Sequence, residues 1–192
     1  MSPIREASPG DADAVVHVIT LAFSADPMTR WCLPNPHRYL SAMPEFIRAF
    51  GGHAFLTDSA DWTADGCGAA LWLPPGREPE GDRMMAVIEE YGDPRIMADM
   101  PAIFEQMDRF HPKAPHWYLP LIGVDPASQG RGLGAALMRH ATERCDRDGL
   151  PAYLESSNPR NISLYERHGF EVIGQIQSGT SPVLTPMYRR PR

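Results

Sequence analysis

Three glycines, Gly130, Gly132 and Gly134, stand at alternate positions in the stretch GVDPASQGRGLGAALM (residues 123–138), just ahead of a run with helical periodicity. Glycine weakens a helix by about 1 kcal/mol relative to alanine, so three of them at a helix start need a reason. The first turn of a helix carries unpaired backbone N–H groups and the positive end of the helix dipole, and together these bind phosphate. Glycine there removes the Cβ atoms that would hold a pyrophosphate away, and it permits positive φ in the approaching loop. Arg131 sits among the glycines as a cation for a phosphate oxygen, the alternative being a solvated loop charge.

The phosphate carrier is not fixed by the glycines alone. Gly130-x-Gly132-x-x-Ala135 also satisfies the dinucleotide-binding pattern, and Glu155 lies near the distance expected of a ribose-binding acid. Against that reading, Asp125 to Gln129 separate the preceding strand from the first glycine, and too little chain follows for a doubly wound domain. No Gly-Lys-Ser/Thr follows, so a Walker A loop is excluded. Histidines at helix-face metal spacing are lacking: His111 and His116 flank a proline-containing loop, and His140 reads as structural or solvated. No metal is expected.

Elements must position these residues. Residues 3–7 read as a short strand, and Ser8 caps a helix with Pro9 just inside and Val15, Val18, Ile19, Ala22 and Phe23 at helical spacing. A second helix is predicted over 37–50, ending at Gly51-Gly52. The apolar runs HAFLTDS (53–59) and CGAALWLPPG (67–76), with Asp65-Gly66 between them, predict a hairpin. Residues 76–115 are more polar, with helices predicted over 83–91 and 95–110; their methionines Met84, Met85, Met97, Met100 and Met107 read as gap-filling core. Trp31, His37 and Tyr39 either border a cleft or pack in the core.

HWYLPLIGV (116–124) has the near-continuous apolar character of a central buried strand, and Pro120 within it forces a bulge or a parting from a neighbour. After it come a helix over 133–145, the strand PAYLESS (151–157), a short helix NISLYERHG closed by Gly169, and two last strands in FEVIGQIQ and SPVLTPMYR. Elements alternate at the centre and pair as hairpins at both ends. This predicts an α/β protein with a mixed, twisted sheet of six or seven strands flanked by helices.

A chain of 192 residues with 43% hydrophobic and 22% charged residues, evenly spread, reads as one ordinary globular domain over 1–192. The net charge of −6 and the lack of a basic cluster exclude an electrostatic nucleic-acid binder. Cys32, Cys67 and Cys145 are far apart and form no CxxC pair, which points to a reducing cytoplasmic setting. The opening MSPIREASPGDADAVV lacks the layout of an export signal, and no stretch of eighteen apolar residues occurs, so no membrane association is expected. Oligomeric state is not legible; a homodimer is compatible with the sequence.

LIGVDPASQGRGLGAALM resembles motif A of the GNAT superfamily of acetyl-CoA-dependent N-acetyltransferases, whose Gln/Arg-x-x-Gly-x-Gly/Ala signature is met by Gln129, Gly132 and Gly134. YLESSNPRNISLYERHGF resembles motif B, with Asn158, Tyr165, Gly169 and Phe170 at the family spacing. LWLPPG and HWYL, taken with both motifs, are similar to the puromycin N-acetyltransferase-like subgroup, which the chain also suits at Asn161. The section 76–115 is longer than the usual link and is expected as a helical insertion near the acceptor.

The resemblance implies that the fourth and fifth strands splay and that the pantetheine arm of acetyl-CoA pairs with the backbone of Ile122, Gly123 and Val124. It implies a pyrophosphate seat at Gln129, Gly130, Arg131, Gly132, Leu133, Gly134 and Ala135, with Asn158 and Asn161 also at the coenzyme. Direct acetyl transfer to a primary amine then needs a backbone N–H near Leu121 or Ile122 to polarise the thioester. Tyr165 serves as acid for the thiolate and Glu155 as base for the ammonium, directly or through water. A small-molecule amine is the expected acceptor. A protein or peptide amine, or a non-catalytic acetyl-CoA sensor, are the alternatives.

Overall fold

A computed structural model describes residues 3–192. In chain order the elements are β1 (Ile4–Glu6), α1 (Ala12–Ala22), α2 (Pro27–Cys32), α3 (Pro36–Gly51), β2 (Ala60–Thr63), β3 (Gly68–Leu73), α4 (Gly81–Tyr91) and α5 (Met100–Phe110). They continue with β4 (Trp117–Val124), α6 (Leu133–Asp148), β5 (Ala152–Ser156), α7 (Ile162–Arg167), β6 (Glu171–Val172) and β7 (Thr185–Arg189). The seven strands form one mixed sheet in the order β1-β2-β3-β4-β5-β7-β6, with β4 and β5 the parallel pair.

Alternation along the central strands sorts the core into two faces. Ala69, Leu71 and Leu73 of β3 pack with Val15, Ile19, Met43 and Ile47 of α1 and α3. Ala70 and Trp72 join Leu137, Met138 and Ala141 of α6 on the opposite face. A bidentate pair from Arg144 to Asp61 (3.1 and 3.0 Å) ties α6 to β2, and another from Arg189 to Asp146 (2.8 and 2.7 Å) ties it to β7.

Pro120 breaks the alternation, as its missing N–H predicts. Trp117 and Leu119 face α6, whereas Leu121, which strict alternation would place with them, faces α1 and α3. The register agrees: Leu71 pairs with Leu121 and Leu73 with Tyr118, so β4 holds one residue more than β3 across that interval. Such a bulge bends and twists its strand. Pairing of β4 with β5 is confined to Trp117↔Ala152 and Tyr118↔Tyr153; from Leu119 onward the two strands diverge. The expected splay of the fourth and fifth strands is therefore present.

Several element boundaries differ from expectation. HAFLTDS forms no strand: Gly52–Leu56 is a 3-10 turn that continues α3, and the hairpin strand is Ala60–Thr63, inside what reads as linker. The reason is tertiary, because in this 3-10 turn Ala54 and Phe55 fill the α1/α3 side of the core. The helix predicted over 95–110 is split. Asp93 caps a 3-10 turn at Pro94–Ile96, and α5 starts afresh at Met100 with proline in its first turn. FEVIGQIQ shrinks to a two-residue strand, followed by a lone bridge between Ile176 and Leu184. The short α2, capped by Asp26, is an addition to the expected elements. None of the helices among the described residues is long and apolar enough to cross a membrane.

Candidate active site

The divergence of β4 and β5 opens a cavity of about 720 Å³. Its lining runs from the N-terminal end of α6, through the gap between the strands, into a chamber walled by α2, α3, α4 and α5.

At the α6 end, Gly132 is the helix N-cap with φ 79°, and Gly130 has φ 78°, both in the left-handed region. A Cβ on either would meet nothing within 4 Å, so the space above the turn is open. The Ala136 N–H is bonded to the Gly132 carbonyl at 3.0 Å, which leaves the N–H groups of Leu133, Gly134 and Ala135 as the free first-turn donors. A pyrophosphate fits this cradle, since donors and dipole point into space that no side chain fills. Gln129 Nε2 donates to the Val124 carbonyl at 3.3 Å, fastening the glycine loop to the end of β4. Asn158 Oδ1 accepts from the Arg160 N–H at 3.1 Å and shapes the turn after β5.

The predicted binding residues Ile122, Gly123, Val124, Gln129, Gly130, Gly132, Leu133, Gly134, Ala135, Asn158 and Asn161 all line the cavity. Arg131 stands apart from the lining: its guanidinium reaches Ser128 Oγ at 3.3 Å and Asp65 at 3.6 Å.

Where the strands part, Tyr118 and Tyr153 stack at 5.9 Å between ring centroids. Tyr118 donates a 2.9 Å hydrogen bond from its hydroxyl to Oε2 of Glu155, while Oε1 is buried without a partner. Burial pushes the Glu155 carboxyl up to about 7, with the Tyr118 and Tyr153 hydroxyls pulling it back. Behind the tyrosines, His116 Nδ1 donates to the Ala114 carbonyl at 2.8 Å, and the Nε2 atoms of His116 and His111 share a hydrogen bond at 3.1 Å. Burial, and then the neighbouring His116, lower His111 to about 4, so His111 is neutral at pH 7, and neither histidine lines the cavity. No group of three metal-ligating side chains occurs among the described residues.

Tyr165 reaches the cavity from α7, packed edge-on to Phe170 at 6.3 Å and only 5% exposed. Burial, and then the Asp26 carboxylate, raise its phenol above the ordinary range. A phenol so placed stays protonated at neutral pH, as an acid must before it donates.

Asp26, absent from the sequence-derived site, lies at the same junction. It is 6% exposed; Oδ1 accepts from the Thr29 N–H (3.0 Å) and hydroxyl (3.1 Å), and Oδ2 from Ser157 Oγ at 2.6 Å. The sequence marks Asp26 only as a cap ahead of Pro27; its contact with Ser157 spans 131 residues and has no local signature. Trp31, His37 and Tyr39 do not line the cavity, and Tyr39 is core, bonded through its hydroxyl to the Thr20 carbonyl. Met84, Met100 and Met107, read from sequence as core filling, do line it.

Fold and site together define an α/β architecture in which a split sheet opens a cavity beside a glycine turn at the head of α6. Residues 64–170 match the model of the Acetyltransferase (GNAT) family, and the chain belongs to that family. It is 30% identical over 118 residues to an uncharacterised N-acetyltransferase of Schizosaccharomyces pombe, covering 55% of this chain and 48% of the yeast protein. It is 31% identical over 140 residues to a mycothiol acetyltransferase of Beutenbergia cavernae, covering 66% of this chain and 45% of that protein. The chain thus spans about half the length of these curated relatives. Among solved structures, a Corynebacterium glutamicum protein described as histone acetyltransferase HPA2 and related acetyltransferase is similar over 100% of this chain and 98% of its own, with TM-score 0.69 and 27% identity. A Drosophila melanogaster polyamine N-acetyltransferase shares the fold at TM-score 0.70 and 18% identity, over 99% of this chain and 100% of its own.

Proposed function

We propose that this protein transfers the acetyl group of acetyl-CoA directly to the primary amine of a small molecule. The observation that carries the reading is one continuous cavity joining the phosphate cradle at Gly130–Ala135, the gap beside Glu155 and Tyr165, and the chamber under α4 and α5. Acetyl-CoA, when bound, supplies the thioester whose acetyl group moves. The α6 N–H groups hold its pyrophosphate, and the part of β4 that has left β5 offers backbone groups at Ile122–Val124 to the pantetheine arm.

Glu155 takes a proton from the acceptor's ammonium, directly or through one water, at its unpaired Oε1. A carboxyl raised to about 7 is ionised in half the molecules at that pH and is basic enough to relay the proton. A backbone N–H near Leu121 or Ile122 polarises the thioester carbonyl, and Tyr165 returns a proton to the departing thiolate. Cys32 also lines the cavity, but burial and the neighbouring Asp26 push its thiol up to about 12, so it stays a thiol and direct transfer is favoured over an acyl-cysteine.

The section between β3 and β4 acts as the acceptor-side insertion: α4 and α5 wall the chamber with Met84, Val87, Ile88, Met100, Ile103 and Met107. That wall supports a small molecule over an extended peptide, which needs an open groove and a free strand edge. The motif resemblance to the puromycin N-acetyltransferase-like subgroup points the same way. Unpaired Cys32, Cys67 and Cys145 suit a cytoplasmic enzyme. Thiol release from acetyl-CoA, followed with a panel of small amines and of peptides, tests the reading. Turnover with small amines is expected; turnover confined to peptides, or binding without turnover, contradicts it.

A further inference from the structure

On the reading of the cavity just given, its charge distribution defines the acceptor more narrowly. Two carboxylates belong to the lining among the described residues, Asp26 and Glu155, and both stand at the parting of the strands: Glu155 on β5, Asp26 bonded to Ser157 just beyond it. The cations Arg160 and Arg167 are on the turn before α7 and on α7 itself, with Asn158 and Asn161. Past the carboxylates, the chamber wall is hydrocarbon and thioether apart from the uncharged Cys32 thiol, exemplified by Met28, Phe46, Met84, Ile103, Phe104 and Met107. The one hydroxyl there, that of Thr29, is already committed to Asp26.

We propose that the acceptor is a monoamine on an apolar alkyl or aryl body, its ammonium held by Asp26 and Glu155 beside the transfer point and its body in the methionine-lined chamber. Two physical facts lead there. An ammonium leaving water needs a counter-charge, and the carboxylates supply one only at the junction. A second ammonium several bonds away, as in a diamine or guanidinoamine, would sit among carbon and sulfur with no partner. Methionine side chains adapt to differing shapes, so the chamber selects for apolar character more than for one outline. The acceptor class thus differs from that named for the Drosophila polyamine enzyme of the same fold.

The test has a binding arm and a turnover arm, using n-hexylamine, 2-phenylethylamine, agmatine and spermidine. Calorimetric titration of each into the protein saturated with CoA reads the chamber; thiol release from acetyl-CoA reads the transfer. We expect hexylamine and phenylethylamine to bind at least tenfold more tightly than agmatine and spermidine and to show a kcat/KM at least tenfold higher. Met107→Glu, at a partly exposed wall position, is expected to narrow that ratio by raising agmatine and lowering hexylamine. Equal or tighter binding of agmatine or spermidine by the wild type overturns the inference. Selective binding of the apolar amines without thiol release leaves the inference standing and overturns the transfer reading beneath it.

Discussion

Tyr118 and Glu155 are joined by a 2.9 Å hydrogen bond across the point where β4 and β5 separate. Tyr118 belongs to the last paired rung of the two strands, and Glu155 lies two residues further along β5, in the part that has left β4. The tyrosine therefore fixes Oε2 and leaves Oε1 buried without a partner. In the proposed mechanism Tyr118 acts through Glu155 as a positioning residue. In Tyr118→Phe the carboxylate loses a donor that favours its charged form, so the acid limb of kcat/KM should move up by about one pH unit. Activity well above that limb should be largely retained, and pH profiles of the two proteins measure both.

In the proposed mechanism Tyr165→Phe removes the proton that the thiolate needs. A general acid typically contributes about 10²–10⁴-fold, so kcat should fall by at least about 100-fold. The affinity for CoA, read by calorimetry, should change little. An unchanged kcat would remove Tyr165 from the mechanism.

Gly132 caps α6 at φ 79°, a backbone region that costs an L-residue about 1–2 kcal/mol. Gly132→Ala should lower Tm by a few degrees and, by tilting the cradle, weaken CoA binding by about tenfold. The same substitution at exposed Gly10, with ordinary φ, serves as the comparison and should leave CoA binding alone.

The raised carboxyl of Glu155 also has a stability signature. Its ordinary value is 4.5 and its folded value about 7, so the folded state binds the proton more tightly than the unfolded state does. The favourable contribution is complete below about 4.5 and is lost as pH rises through about 7. Glu155→Gln abolishes this dependence, and its stability relative to wild type should improve by up to about 3 kcal/mol between pH 4 and pH 8. Denaturant melts at the two pH values measure it.

Much of this arrangement was legible in the chain. Pro120 in an apolar run announces a broken ladder because proline has no N–H to give, and the glycines announce an open left-handed turn at a helix start, which the structure has at Gly130 and Gly132. Those signals are local. Asp26 is not legible, because its contact is with Ser157, far off in sequence, and HAFLTDS is ambiguous, because a short apolar run has the same composition as a strand or as a turn filling a core. The methionines of α4 and α5 were read as packing, which periodicity cannot distinguish from lining: Met84 and Met100 are both buried and on the cavity wall.

In the proposed mechanism Glu155, held by Tyr118 in the gap of a split sheet, accepts the acceptor's proton during acetyl transfer. The most direct test is kcat/KM for n-hexylamine from about pH 5 to about pH 9, below the ordinary ammonium pKa of about 10, for wild type and Glu155→Gln. The wild type should rise through an apparent pKa near 7, and the variant should lose that limb and at least about 100-fold of its rate. A variant that keeps both the limb and the rate contradicts the account.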